Sequence, residues 1–245
     1  MKQRKVNFQE NASEIIKSDD FLRSIYAEIY STFFHLAGND VSLRVLEIGA
    51  GGYSPSSALW EHVIVSDIEE HGDQNKGQKI DSANLPFPEN SFDLVIAKDA
   101  LHHFKDPISS LNEIFRVLKS DGKFLVSEPY WSPLGRFVFR FLHPETWDVH
   151  ANSHIVNSKD PWDGNQALLF LIQGKWNSLL SECTPKIRLR THSPTYGISY
   201  LLSGGVHTRT KISAPLLIRL NTWEQKSRLL QRLLGLNIIA SFELK

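Results

Sequence analysis

Apolar positions in the first forty residues recur at three- and four-residue steps, which is the spacing of one helix face. These positions are Phe21, Leu22, Ile25, Ile29, Phe33 and Leu36, and Gly38 then favours a helix end. From Arg44 onward the pattern changes to short continuous apolar runs: RVLEIG, VIVSDI, FDLVIAKDA and KFLVSEP. Such runs are typical of strands buried on both faces, and their alternation with helical segments predicts a doubly wound, mostly parallel α/β sheet. We expect residues 1–40 to be a helical segment that packs on a domain spanning 41–245.

The clearest helix signal lies between the last two of these runs. Asp106 suits the N-terminal cap, Pro107 suits the first turn, and Gly122 ends the unit. The apolar stripe between them consists of Ile108, Leu111, Ile114, Phe115 and Leu118. The order strand, helix, strand predicts a βαβ crossover.

Regularity weakens after Pro129. Residues 129–163 are rich in aromatic residues, histidine and proline, which predicts an inserted lid or substrate-binding segment. A helix is expected over about 164–183, followed by two strands at KIRLRTHS and LNIIASFEL. A second lid insertion is expected between them, at 196–234, and much of it should be an amphipathic helix. The apolar positions of that helix are Leu216, Leu220, Trp223, Leu230, Leu233 and Leu234.

Composition narrows the class of protein. The 27 basic and 27 acidic residues leave no overall field that would attract nucleic acid. Cys183 is the only cysteine, so one chain builds neither a disulfide framework nor a cysteine-based zinc site. No apolar run reaches membrane-spanning length, and the N-terminus lacks the apolar stretch of a signal peptide. We expect a cytoplasmic protein.

The loop EIGAGGYS follows the first apolar run directly, and in an open parallel sheet ligands bind where the strands end. Its glycines permit close approach of a ligand to the backbone. Asp67 lies 20 residues beyond Glu47, at the end of the next run, where a carboxylate accepts hydrogen bonds from both ribose hydroxyls. A nucleoside cofactor fits this pattern; the alternative is a tight strand-to-helix turn with an ordinary surface aspartate.

Two residues separate the possible cofactors. A dinucleotide fingerprint wants glycine or alanine at the position of Ser54, and a pyrophosphate would be repelled by Glu47. A cofactor with an ammonium and a sulfonium in place of phosphates suits that carboxylate. The pattern therefore favours S-adenosylmethionine over a nicotinamide dinucleotide.

These stretches, together with IDSANLPFPENSFDLVIAKDALHHFKDP and LNEIFRVLKSDGKFLVSEP, resemble the class I S-adenosylmethionine-dependent methyltransferase family, of the methyltransferase type 11 kind, over residues 43–130. The resemblance implies a Rossmann-like, doubly wound, mostly parallel seven-stranded sheet with helical lid insertions. It also implies that Glu47, Gly49 and Gly51 form the loop under the methionine moiety. Lys98 stands where the family places backbone contacts to the methionine amino group. Tyr53 departs from the commoner Gly-Thr-Gly, which either reshapes the pocket or abolishes binding.

At the nucleoside end, the resemblance implies that Asp67 holds the ribose, Asp81 contacts the adenine amino group, and Ser82 offers its backbone amide to the ring. The later stretches EPYWSPLGRFVFRFLHPETWD, DPWDGNQAL and YLLSGGV resemble a bacterial subgroup associated with polysaccharide or lipopolysaccharide biosynthesis. This resemblance implies a glycan or lipid-linked glycan acceptor.

Methyl transfer to a hydroxyl requires a group that takes up its proton, and histidine suits that role near neutral pH. His103 and His102 follow the fourth strand and should face the reactive end of the cofactor, with one of them pointing inward; alternatively they cap a turn. Glu128, at the end of the fifth strand, is a second candidate base or else a structural carboxylate that binds loop amides.

Two further features of the sequence concern metal ions and membrane surfaces. Among His143, His150 and His154, only the last two are four residues apart, the spacing that places two ligands on one helix face. One such pair is too few for a metal site, so we predict no metal. PLGRFVFRFL and residues 209–232 are basic and amphipathic, which fits an anionic membrane surface, a phosphate-bearing acceptor, or a lid helix with a solvated face. The sequence does not set the oligomeric state.

The combined expectation is a methyltransferase that moves a methyl group from S-adenosylmethionine to a small-molecule or glycan acceptor at oxygen. Two alternatives stay open. One is a non-catalytic S-adenosylmethionine-binding or scaffold protein of a glycan assembly pathway, and the other is a nicotinamide-dependent oxidoreductase on a similar sheet.

Overall fold

The structure is a computed structural model that describes residues 12–69, 77–142, 177–183, 186–206 and 210–245. The first predicted lid beyond residue 142 and most of the helix predicted over 164–183 lie outside these residues. So do His143, His150 and His154.

The described residues form a seven-stranded sheet in the order β3-β2-β1-β4-β5-β7-β6. The strands are β1 (Arg44–Ile48), β2 (His62–Asp67), β3 (Gln78–Lys79), β4 (Phe92–Lys98), β5 (Leu118–Pro129), β6 (Ile187–Thr195) and β7 (Asn237–Leu244). All neighbouring pairs are parallel except those of β7, which is antiparallel to both β5 and β6. The predicted Rossmann-like, mostly parallel sheet is therefore confirmed.

The described residues contain the α-helices α1 (Asp20–Leu36), α2 (Pro107–Val117), α3 (Pro133–Phe141), α4 (Asn177–Glu182), α5 (Ile198–Ser203), α6 (Ala214–Gln225) and α7 (Arg228–Leu234). Residues 12–18 are also helical. Short 3-10 turns at Ser56–Ala58 and Leu101–His103 follow the loops after β1 and β4.

Helix α1 covers one face of the sheet. It begins where the Asp19 side chain accepts a hydrogen bond from the Leu22 amide at 3.0 Å. Its buried residues belong to a core cluster with Val45 of β1, Leu94 of β4 and Leu125 of β5. The apolar stripe seen in the sequence is thus the face that packs on the sheet.

Helix α2 contributes to the core on the opposite face. The Asp106 side chain accepts from the Ser109 amide at 3.0 Å, which caps the helix as expected. Its apolar residues pack in a second cluster with Leu46, Val95 and Phe124. These are the sequence neighbours of the residues under α1, because successive strand side chains point to opposite faces. Burial on both faces explains the continuous apolar runs.

The sequence predicted that much of residues 196–234 is one amphipathic helix. This prediction is wrong, because the region contains three helices and the buried side of the middle one is not the predicted apolar side. Helices α5, α6 and α7 occupy this region, and Leu216 and Trp223 of α6 are 58% and 52% exposed. The buried side of α6 instead contains Leu217, Asn221 and Glu224. Glu224 accepts hydrogen bonds from the Ile198 amide and the Ser199 hydroxyl, both at 2.7 Å, so polar residues are buried to cap α5.

Candidate active site

A cavity of about 900 Å³ opens where the strands of the parallel half of the sheet end. Asp67 ends β2, Asp81 follows β3, Lys98 ends β4 and Pro129 ends β5, and all four residues line the cavity. Residues from α1, α3 and α5 complete its wall. The position agrees with the rule that ligands of open α/β sheets bind beyond the carboxyl ends of the strands.

The glycine loop after β1 forms one wall of the cavity. Gly49 and Gly51 have φ values of +68° and +59°, a left-handed conformation that glycine adopts without strain. A Cβ on Gly49 would lie 2.3 Å from the Cβ of Ala100, whereas one on Gly51 would meet open space. The N-terminal segment holds the loop from outside, since the Ser13 hydroxyl donates to the Gly52 carbonyl at 2.6 Å.

Asp67 holds the same loop from the β2 side. One of its carboxylate oxygens accepts from the Gly51 amide at 2.9 Å, and the other accepts from the Glu69 amide at 2.9 Å. The side chain is mostly buried but lines the cavity. A carboxylate oxygen has capacity for more than one donor, so these bonds leave Asp67 able to accept from hydroxyl groups of a ligand.

Glu47 lies behind the cavity wall and is not among the lining residues. Its carboxylate is buried and accepts hydrogen bonds from the Tyr30 hydroxyl and, at 2.6 Å, from the Ser54 hydroxyl. Burial raises the pKa of Glu47, and the hydrogen bonds from Ser54 and Tyr30 oppose that rise. The carboxylate therefore joins the loop to α1 from behind the cavity wall.

Asp81 and Ser82 lie together at the cavity edge after β3. The Asp81 side chain accepts from the Ala83 amide at 2.9 Å, and the Ser82 and Ser110 hydroxyls share a hydrogen bond of 2.9 Å. The Ile80 amide donates to the Asp67 carbonyl at 2.8 Å. This bond fixes the segment relative to Asp67, so the two carboxylates predicted to hold a nucleoside border one cavity.

Lys98 is buried at the tip of β4 and pairs with the Asp99 carboxylate. Its Nζ lies 4.1 Å from the centre of the Tyr26 ring. Burial alone would lower the pKa of Lys98, but Asp99 and the surrounding phenols raise it well above the ordinary value. The ammonium group therefore stays charged inside the cavity.

Sequence reasoning missed Asp99 as a site residue. It has a φ of +50°, which is unusual for a residue other than glycine. Its second oxygen accepts from the Asn237 side-chain amide at 3.1 Å, and Asn237 in turn accepts from the Ser127 hydroxyl at 2.7 Å. The only sequence signal was its place next to Lys98 at the end of a strand.

Tyrosines form much of the remaining wall, and the sequence analysis missed this as well. Five of the six tyrosines of the chain line the cavity: Tyr26, Tyr30, Tyr53, Tyr196 and Tyr200. The ring of Tyr53 packs edge-on against Tyr26 with centroids 5.4 Å apart, so this departure from the family's usual loop is accommodated. Burial raises the pKa of Tyr26, Tyr196 and Tyr200, so these phenols remain protonated and able to donate.

The two predicted histidines both line the cavity. His102 is buried, and its Nδ1 lies 2.5 Å from an oxygen of Glu128. The other oxygen of Glu128 accepts from the amides of Ala100 and Leu101 at 3.1 and 2.7 Å. The rings of His102 and His103 lie 4.0 Å apart between centroids.

Glu128 is fully buried and is not a lining residue of the cavity. Its placement matches the structural carboxylate that was the alternative to a base, because its oxygens fix the loop after β4 and orient His102. In the part of the chain that the structure describes, no group of three or more metal-ligating side chains occurs. No helix of that part is long and apolar enough to cross a membrane.

Comparison with known proteins finds a family match for part of the chain. Residues 46–126 match the family described as a methyltransferase domain. An uncharacterized methyltransferase of Bacillus subtilis, YcgJ, is 36% identical over 103 residues, which cover 36% of this chain and 41% of that protein. The mitochondrial arginine-hydroxylase NDUFAF5 of Rattus norvegicus is 33% identical over 137 residues, which cover 51% of this chain and 39% of that protein. The chain thus spans about two fifths of the length of these curated relatives.

A solved structure extends the likeness in fold beyond the matched segment. The S-adenosylmethionine-dependent methyltransferase of Archaeoglobus fulgidus superposes with a TM-score of 0.51 at 16% identity, covering 91% of this chain and 94% of that one. At this identity the likeness concerns the fold alone. Residues 46–126, which contain the glycine loop and strands β2, β3 and β4, thus match the methyltransferase domain family, and the sheet order agrees with that match.

Proposed function

We propose that the protein transfers a methyl group from S-adenosylmethionine to a hydroxyl oxygen of a small-molecule acceptor, of which a glycan or lipid-linked glycan is the preferred class. One observation carries this proposal. The glycine loop, the carboxylates of Asp67 and Asp81 and the paired histidines all border the same cavity. A cofactor-binding wall and a proton acceptor thus face one space.

The residues of the cavity fit this cofactor. The left-handed loop at Gly49 and Gly51 leaves no side chain between the backbone and a ligand, and a Cβ at Gly49 would collide with Ala100. Asp67 is placed to accept from ribose hydroxyls and Asp81 from an adenine amino group. These two carboxylates would repel a pyrophosphate, and of the two lysines that line the cavity, Lys98 is already paired with Asp99. When bound, the cofactor supplies an electrophilic methyl carbon on its sulfonium.

The aromatic lining of the cavity supports an acceptor with flat apolar faces and hydroxyl groups. Tyr26, Tyr196 and Tyr200 combine aromatic surface with protonated phenols, and Val138 and Phe139 add apolar surface. The rings of Tyr196 and Tyr200 lie 4.6 Å apart between centroids. Pyranose faces stack on such rings while their hydroxyls exchange hydrogen bonds with phenols and with Asp99. The cavity volume is near the upper end for a small-molecule site, which leaves room for both ligands.

The geometry favours His102 over His103 as the base. Glu128 holds the Nδ1 side of His102, which orients the ring and stabilises its protonated form. The imidazole would take the proton of the acceptor hydroxyl as the oxygen bonds to the methyl carbon and the carbon–sulfur bond breaks, so that the sulfur leaves as a neutral thioether. Glu128 would then balance the new positive charge without itself taking the proton.

The test is transfer of labelled methyl from S-adenosylmethionine to a panel of hydroxylated acceptors, with mass spectrometry to identify the methylated atom. We expect His102→Gln to lower kcat by about 10²- to 10⁴-fold and to remove the pH dependence of kcat that this base imposes. His103→Gln, its matched control, should keep that pH profile.

Three outcomes would contradict the proposal. Equal losses of kcat in both variants would remove His102 as the base. A methylated carbon or nitrogen would remove the oxygen acceptor. Cofactor binding without turnover on any acceptor would favour the non-catalytic binding protein.

A further inference from the structure

Helix α3, whose inner side lines the cavity, and helix α7 expose the same pattern of side chains. In α3, Phe137 and Phe141 are exposed one helical turn apart, and in α7 Leu229 and Leu233 are exposed one turn apart. The two helices pack against each other. Phe141 and Leu229 are each 65% exposed, and apolar side chains grouped in this way are typical of interaction surfaces.

Each apolar pair lies beside a pair of arginines at the same spacing. Arg136 and Arg140 are exposed on α3, and Arg228 and Arg232 are exposed on α7. Neither helix contains an acidic residue. Among the described residues, no acidic side chain forms a salt bridge with any of these four arginines. We call these eight side chains the apolar–arginine face.

This face adjoins the cavity through α3. The inward residues of that helix, Val138 and Phe139, are buried and line the cavity. Leu142, the residue after the helix, both lines the cavity and is exposed, so it lies at the rim. A partner bound to the apolar–arginine face would therefore lie next to the cavity entrance.

We propose that the apolar–arginine face binds the surface of an anionic phospholipid bilayer. Phenylalanine and leucine side chains enter the boundary between headgroups and acyl chains, while arginines pair with lipid phosphates. Charge argues against a second copy of the chain as the occupant, because a symmetric dimer on this face would bring arginines against arginines. Membrane binding of this kind places the cavity entrance at the height of a lipid headgroup.

Sedimentation of the full chain with phospholipid vesicles tests the proposal without cofactor or acceptor, so its result is independent of the proposed methyl transfer. We expect the chain to bind vesicles of phosphatidylcholine with 30% phosphatidylserine, taken as a roughly physiological anionic content. Binding to pure phosphatidylcholine should be weaker by at least about tenfold. Phe137→Ser/Phe141→Ser and Arg136→Gln/Arg140→Gln should each lower binding to anionic vesicles by about tenfold or more.

Val41→Ser is the matched control, because Val41 is also an exposed apolar residue but precedes β1, at the sheet edge opposite the cavity. It should bind vesicles like the unaltered chain. Since all the substituted side chains are exposed, thermal unfolding should be nearly unchanged in each variant.

No binding to anionic vesicles, or equal binding by all variants, would overturn the proposal. Light scattering that shows a dimer which Phe137→Ser/Phe141→Ser dissociates would assign the face to a second copy instead.

Discussion

At the scale of single residues, Glu47 is a buried carboxyl whose ionisation should oppose folding. Burial raises its pKa, so the folded state holds the proton more tightly than the unfolded state does. Such a group adds stability below its unfolded-state pKa, and this contribution is lost as the pH rises through the raised folded-state value. Ser54 and Tyr30 limit the loss by hydrogen bonding to the charged form.

We therefore expect the free energy of unfolding of Glu47→Gln, relative to the unaltered chain, to rise as the pH increases from 4 to 8. Glutamine does not ionise, so it avoids the cost that the carboxylate carries. Urea unfolding at intervals of pH measures the difference. Ser54→Ala is the opposing variant: it retains Glu47 but removes a bond to the charged form, so its stability should fall more steeply with pH. Parallel pH curves for the unaltered chain and Glu47→Gln would contradict the argument.

At the scale of elements, the loops after β1 and β4 meet at Gly49 and Ala100. Both Gly49 and Gly51 have positive φ, but only at Gly49 does a neighbouring loop occupy the place of a side chain. Gly51→Ala should cost about 1–2 kcal/mol of unfolding free energy from backbone strain alone. Gly49→Ala should cost a further 1–3 kcal/mol or so, because a methyl group is forced against Ala100.

Denaturant unfolding of the two glycine variants measures these costs. Adding Ala100→Gly to Gly49→Ala removes the contact but not the strain, so the double variant should recover part of the loss. Equal stability of Gly49→Ala and Gly51→Ala would mean that the two loops move apart freely. It would also mean that the close contact at Gly49 does not define the cavity wall.

The buried face of a helix was predictable where that face is apolar, but not where polar side chains are buried. Helices α1 and α2 bury the apolar stripes that their sequences contain, and both begin at an aspartate cap. Helix α6 does the reverse: it exposes Trp223 and buries Glu224, because the amides at the start of α5 need an acceptor. The spacing of apolar residues within α6 cannot show that amides of α5 require a hydrogen-bond acceptor from α6.

At the scale of the whole molecule, the site combines segments that are far apart in sequence. The glycine loop, Asp67 and the histidines follow strands in a repeated order, so the sequence predicted that they would meet at one sheet edge. Tyr26 precedes the sheet, and Tyr196 follows β6, which joins the sheet through β7. No local pattern tells a cavity-lining tyrosine from a core tyrosine, so the acceptor side of the site became visible only in the fold.

The cavity is lined by residues of α1, of the strand ends and of α5. A cofactor bound there contacts several elements of the folded chain, so it should stabilise the chain as a whole. At a concentration of S-adenosylmethionine a hundredfold above its Kd, the expected gain is about 2.7 kcal/mol. For a chain of this size that corresponds to a rise in Tm of roughly 5 to 10 °C. Thermal unfolding with and without cofactor measures this rise, and Asp67→Ala should lose most of it at the same concentration. NADH at equal concentration should give a much smaller rise, because its pyrophosphate would lie beside the carboxylates of Asp67 and Asp81, while the cavity lysine Lys98 is already paired with Asp99. A larger rise with NADH would reverse the choice of cofactor. An unchanged response in Asp67→Ala would show that this carboxylate does not hold the nucleoside.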